Sequence, residues 1–141
     1  MMDQEKIDSL GDELYEALRT GRSVAPLTDR KSDIQIEDAY LVSQRMLSRR
    51  VELDGEKVVG KKIGVTSKPV QDMLKVFQPD FGFLTDAMER PDAAQIPIAG
   101  NLIAPKAEGE IAFRLKKDLV GPGVTEQDVL DATETIIPCF E

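Results

Sequence analysis

Glu108 and Glu110 stand one residue apart in KAEGEIAFRL, Lys106 to Leu115, and run straight into Ile111, Ala112 and Phe113. On a strand, side chains alternate faces, so residues i and i+2 point the same way about 6.5–7 Å apart. The alternation puts Ile111, Phe113 and Leu115 on one face and Glu108, Glu110, Ala112 and Arg114 on the other. Like charges that close repel unless something positive lies between them. Either water screens the pair on an exposed face or a cation sits there. Glu141, after the apolar Pro138-Cys139-Phe140, adds a third carboxylate. Three such oxygen donors make a good inventory for Mg2+, with water or substrate completing the octahedron.

The rest of the composition restricts that chemistry. The chain has no histidine, and Cys139 is its only cysteine. Ser–His and Cys–His nucleophile pairs are therefore excluded within it, and a zinc site of the usual type is disfavoured. Any metal must be a hard one, Mg2+ or Mn2+, held by Asp and Glu. Cys139, inside an apolar run, reads as a small buried hydrophobe.

Two further residues could move protons. Lys62, in GKKIGVTS, alternates with Ile63 and is flanked by Gly60 and Gly64. A lysine there either lies at a sheet edge, snorkelling to water, or is a partly buried ammonium aimed at an anionic substrate or a carboxylate. Lys61 points to the opposite face. Asp80, in QPDFG, reads as a turn residue flanked by Pro79 and followed by Phe81. It either serves local hydrogen bonding or pairs with Lys62 for proton transfer.

The elements that must position these groups are legible as periodicities. Residues 4–20 carry Ile7, Leu10, Leu14, Ala17 and Leu18 at spacings of three and four, and Gly21 stops the helix. After the connector SVAPLTDRKSD, a second helix is expected over 37–53, with Ala39, Tyr40, Ser43, Met46 and Leu47 inside. Neither helix shows a convergent polar cluster. From residue 57 the pattern changes to KVVGKKIGVTS, a β-branched, glycine-punctuated strand. Ser67 opens a short helix, QPDFGFL reads as a turn, and AQIPIAG and LIAPKAEGEIAFRLKKDL read as strands. Thr125 and Asp128 form a variant capping box ahead of the last helix.

The 141 residues suffice for one ordinary domain, or one plus a small appendage. With 41% hydrophobic and 31% charged residues and a mean hydropathy of -0.26, the composition is that of a globular protein. A net charge of -8 and a pI near 4.7 argue against nucleic acid and against an anionic membrane surface. No apolar run approaches the roughly 20 residues of a membrane helix, and the acidic N-terminus is neither a signal nor a transit peptide. A cytosolic location is expected.

Three blocks, VVGKKIGVTSKPVQDMLKVFQPDFGFLTDAM, APKAEGEIAFRLKKDLVGPGVT and ATETIIPCFE, closely resemble the 2-hydroxypenta-2,4-dienoate (2-keto-4-pentenoate, vinylpyruvate) hydratases. These belong to the fumarylacetoacetate hydrolase superfamily and act in meta-cleavage degradation of aromatic compounds. The resemblance implies that Glu108, Glu110 and Glu141 ligate Mg2+ or Mn2+, and that Lys62 and Asp80 are catalytic. It implies a metal-dependent hydro-lyase acting on a 2-keto or 2-hydroxy dienoic acid, a homo-oligomer, and a possible complex with 4-oxalocrotonate decarboxylase.

The expected fold is α+β, with an N-terminal helical subdomain over 1–56. The first part of a β-rich catalytic domain follows over 57–141. Family members continue beyond this point, so that domain reads as truncated. The alternatives are a 4-oxalocrotonate decarboxylase of the same superfamily, or an inactive fragment that serves only in oligomerisation or partner binding.

Overall fold

The computed structural model describes residues 2–31 and 33–141. Its elements are helices and two small antiparallel sheets, an α+β architecture. They group into two compact units, Met1–Ile103 and Ala104–Glu141. The division at residues 56 and 57 expected from the sequence stays a proposal about the catalytic domain.

In the first unit, helix α1 spans Gln4–Thr20. The Asp3 carboxylate accepts the Lys6 N–H at 2.9 Å, which satisfies one of the orphan donors of the first turn. Gly21 closes the helix in the left-handed region, at φ 64°. The short α2 (Leu27–Arg30) interrupts the expected connector, and α3 spans Ile36–Asp54. Where α3 begins, Asp38 accepts N–H groups from Met2 (2.8 Å) and Gln35 (3.1 Å). Those two backbone donors hold its carboxyl below the usual range.

Ile7 and Leu10 of α1 close over Val42 of α3, with Leu14, Leu27 and Leu41 packed around them. A Cβ on Gly11 would lie 2.5 Å from Arg45 Cβ and Cγ and 2.9 Å from the Val42 carbonyl oxygen. The two helices approach too closely at that point for any side chain.

The face of α3 that meets α1 is not the expected one, although Tyr40, Ser43, Met46 and Leu47 of the expected stripe are half-buried. Asp38 and Val42 are buried, Ala39 is exposed, and Arg45 and Arg49 reach across to α1. At ~100° per residue this face lies about 120° round the helix from the expected apolar stripe. Besides the apolar contacts of Val42, ion pairs hold this face against α1. Asp12 accepts forked hydrogen bonds from Arg45 (2.7 and 3.0 Å) and Arg49 (2.7 and 2.8 Å). These guanidinium groups, Arg49 first, hold the Asp12 carboxyl far below its ordinary value.

The helices thus carry the convergent polar clusters that the sequence reading missed. A second one surrounds Glu56. Its carboxylate accepts from Thr85 Oγ1 (2.5 Å), Arg50 Nε (2.8 Å) and Arg19 (2.5 Å). Arg50 also donates to Thr85 Oγ1 at 2.9 Å, and Arg19 pairs with Asp54, which accepts the Tyr15 hydroxyl at 2.9 Å. Arg50, Glu56 and Thr85 are all buried. The network ties α1, the end of α3 and the following hairpin together.

Removing one partner of a buried ion pair strands the other. Glu56→Ala should therefore cost about 3–5 kcal/mol of unfolding free energy in urea titration. A loss under about 1 kcal/mol would mean that water satisfies Arg50. Burial alone would raise the Glu56 pKa, but the bonds from Thr85, Arg50 and Arg19 outweigh it, and the value is lowered from the ordinary 4.5. A folded-state pKa below the unfolded one contributes stability that is present above the unfolded value and lost as pH falls through the folded one. Asp12 and Asp38 act in the same sense. The melting temperature should accordingly fall on acidification below about pH 4.5, and fall less in Glu56→Ala.

Strand β1 (Val58–Gly64) pairs antiparallel with β2 (Asp80–Thr85), and α4 (Lys68–Leu74) lies between them in the chain. QPDFGFL is therefore not a turn: Asp80 is the first residue of a strand. Ser67 precedes α4, but its side chain makes no capping bond. After the 3-10 turn Asp86–Met88, the stretch AQIPIAG forms no strand, since it lacks a neighbour to complete a ladder.

The second unit is the antiparallel hairpin β3 (Gly109–Leu115) and β4 (Thr133–Phe140), with α5 (Glu126–Ala132) before β4. The capping box is present: Thr125 Oγ1 accepts the Asp128 N–H at 3.2 Å, and Asp128 accepts the Thr125 N–H at 2.8 Å. Every β3 residue is exposed, and so is Cys139, which is not the buried hydrophobe expected.

Candidate active site

Register decides where the proton-handling candidates point. In the β1–β2 ladder Lys62 stands opposite Gly82 and Asp80 opposite Gly64. Directly opposed residues share a face, so Lys62 and Asp80 occupy diagonal positions on one face, about 7–8 Å apart at the backbone. Lys61 stands opposite Phe83 on the other face, its ammonium 5.5 Å from that ring's centroid. Phe81 stacks on Tyr40 of α3, with centroids 4.7 Å apart and planes inclined by 16°. Lys62 is half-buried and Asp80 exposed. An ammonium and a carboxylate set diagonally on a ladder, one partly shielded, can pass or share a proton with a small molecule above the sheet.

Behind this face, Thr85 anchors β2 to Glu56 and Arg50, and the Asp86 carboxylate accepts the Lys57 N–H at 2.9 Å. In the sequence, Asp54-Gly55-Glu56 marks only the end of the second helix. The one signal that could have found Glu56 is Arg50, six positions earlier and about one turn before the end of α3.

The three glutamates belong to the second unit. Glu108 and Glu141 exchange both backbone hydrogen bonds, Glu108 N–H to Glu141 O at 2.8 Å and Glu141 N–H to Glu108 O at 2.9 Å. They extend the β3–β4 ladder by one directly opposed pair, whose side chains share a face. Glu110, two residues on, shares it too, opposite Cys139. Antiparallel pairing thus brings to one face three carboxylates that are dispersed in sequence. Their side chains are not drawn into a cluster: among the described residues no three His, Cys, Asp or Glu groups are gathered closely enough to hold a metal ion.

The donor set nevertheless fits a hard divalent cation. It is all oxygen, its members are exposed glutamates with three rotatable side-chain bonds, and the chain offers no histidine to favour zinc. Among the described residues no helix is long and apolar enough to cross a membrane.

Relatives share this sequence throughout. The chain is 62% identical over 142 residues to a 2-hydroxyhexa-2,4-dienoate hydratase of Comamonas testosteroni, covering 100% of this chain and 53% of the relative. It is 62% identical over 140 residues to a 2-hydroxypent-2,4-dienoate hydratase of Pseudomonas putida, covering 99% and 63%. The solved 4-oxalocrotonate decarboxylase from Pseudomonas putida G7, complexed with magnesium and adipate, superposes with a TM-score of 0.92 at 32% identity. That match covers 100% of this chain and 53% of the decarboxylase. The same enzyme has also been solved with calcium and acetate, again with a TM-score of 0.92. No family model matches. The chain spans about half the length of the first of these hydratases.

Proposed function

We propose that this chain, similar over its whole length to the 2-hydroxypentadienoate hydratases, belongs to a metal-dependent hydro-lyase. Its substrate would be 2-hydroxypenta-2,4-dienoate and its product 4-hydroxy-2-oxopentanoate. The observation that carries the reading is 62% identity spread across all of the chain. The geometry of the β1–β2 and β3–β4 hairpins supports it. Such a substrate fits a role in aromatic-compound catabolism, and the family resemblance supports a cytosolic homo-oligomer that pairs with 4-oxalocrotonate decarboxylase.

Glu108, Glu110 and Glu141 would hold the cation, Mg2+ or Mn2+. When bound, such an ion supplies positive charge that stabilises an enolate. Lys62 and Asp80 act on protons. The dienol first becomes the conjugated 2-keto acid, which needs the 2-hydroxyl proton taken away and a proton delivered to C5. Water then adds at C4, which needs one proton taken from that water and one returned to C3. A half-buried ammonium and a nearby carboxylate supply a donor and an acceptor for these transfers.

The TM-score of 0.92 to a decarboxylase sustains a second reading, in which the same site releases CO2 from 4-oxalocrotonate. The two separate by product. The intact enzyme with Mg2+ and each acid in turn should give 4-hydroxy-2-oxopentanoate from the dienoate. CO2 release from 4-oxalocrotonate, with no hydration of the dienoate, would overturn the hydratase reading.

A further inference from the structure

We propose that Gly64 and Gly82 are positioning residues: each lets an active-site side chain of the opposite strand lie across the ladder because it has no Cβ. The proposal rests on the reading of Lys62 and Asp80 given above. A Cβ built on Gly64 would collide with Asp80 Oδ1, with Cγ at 3.5 Å and Oδ2 at 3.8 Å. The Asp80 carboxylate thus lies over the Gly64 backbone. A Cβ on Gly82 would stand 3.3 Å from Cγ and 3.6 Å from Cδ of Lys62, so the lysine stem lies over Gly82. Neither glycine has its φ in the left-handed region, so what these positions need is space and not backbone freedom.

The face carries its own control. Gly60 stands opposite Leu84, and a Cβ there would make ordinary contacts at 3.7 and 3.9 Å. Three glycines therefore occupy one face of the hairpin: Gly64 has no room for a methyl group, Gly82 has it only if the Lys62 stem gives by a few tenths of an ångström, and Gly60 has it freely. The atom that obstructs Gly64 is the far end of a short side chain. An alanine there would turn the carboxylate aside and leave the strand pairing in place. The fold tolerates that movement. A reaction that depends on the carboxylate's position does not, since a displacement of about 1 Å can cost roughly 100-fold in rate.

The test compares Gly60→Ala, Gly64→Ala and Gly82→Ala in the intact enzyme, with Asp80→Ala and Lys62→Met alongside. Gly64→Ala should lower kcat roughly 10–100-fold and Gly82→Ala roughly 3–10-fold, with KM little changed, while Gly60→Ala stays within about 2-fold. The three melting temperatures should agree within about 4 °C. The pH profile of kcat should change in Gly64→Ala and not in Gly60→Ala. In an Asp80→Ala background, Gly64→Ala should cost no further turnover, because the group it displaces is gone. If Asp80→Ala and Lys62→Met are impaired while Gly64→Ala is as active as Gly60→Ala, the positioning role is wrong. Full activity of Asp80→Ala and Lys62→Met would overturn the site reading instead. Should Gly64→Ala fail to fold, Gly82→Ala against Gly60→Ala decides.

Discussion

Lys62→Met in the intact enzyme should lower turnover by roughly 10²–10⁴-fold, the usual range for loss of a proton-transfer group. Methionine keeps most of the stem that lies over Gly82 and removes the charge and the donors. Lys61→Met is the matched control. Its ammonium sits over Phe83 on the opposite face, where the contact contributes about 0.5–1 kcal/mol to stability and nothing to the site. Turnover in Lys61→Met should stay within about 3-fold of the parent. Both variants need only steady-state rates and a melting curve. If Lys61→Met proved the dead one, the face assignment of β1 would be wrong.

Glu110→Gln should abolish Mg2+-dependent turnover without disturbing the fold. Glu110 is exposed on β3 opposite Cys139, so the change removes a charge and leaves the hairpin's ladder intact. Mg2+ accepts few substitutes for a charged oxygen donor, and two carboxylates in place of three weaken the site steeply. Calorimetric Mg2+ titration should show the specific isotherm of the parent lost in the variant, with an unchanged melting temperature in the absence of metal. Full activity of the variant in added Mg2+ would remove Glu110 from the ligand set. A parent enzyme with no specific divalent site would favour a non-catalytic module.

Much of this protein was decided locally. Helix α1 occupies the 4–20 span expected from its apolar spacing, because Asp3 caps it and Gly21 ends it within its own turns. Thr125 and Asp128 satisfy each other's donors three residues apart, so the start of α5 was legible as well. Alternation placed Glu108 with Glu110, and Lys61 away from Lys62, because the face of a side chain on a strand depends on parity alone. Resemblance selected the five candidate residues, and it holds at 62% identity.

Tertiary structure decided the rest. The face of α3 that meets α1 sends Arg45 and Arg49 onto Asp12, a residue on another helix, and apolar counting along α3 had no access to it. Asp80 looked like a turn residue until β1 paired with it, since a strand exists only where a partner completes its ladder. Glu141 joins Glu108 through two backbone hydrogen bonds that exist only once the β3–β4 hairpin has closed. Local dihedral preferences and caps act over about four residues and are written in the sequence around them. Register, opposed glycines and ion pairs depend on which distant segments meet, and that is settled only when the chain folds.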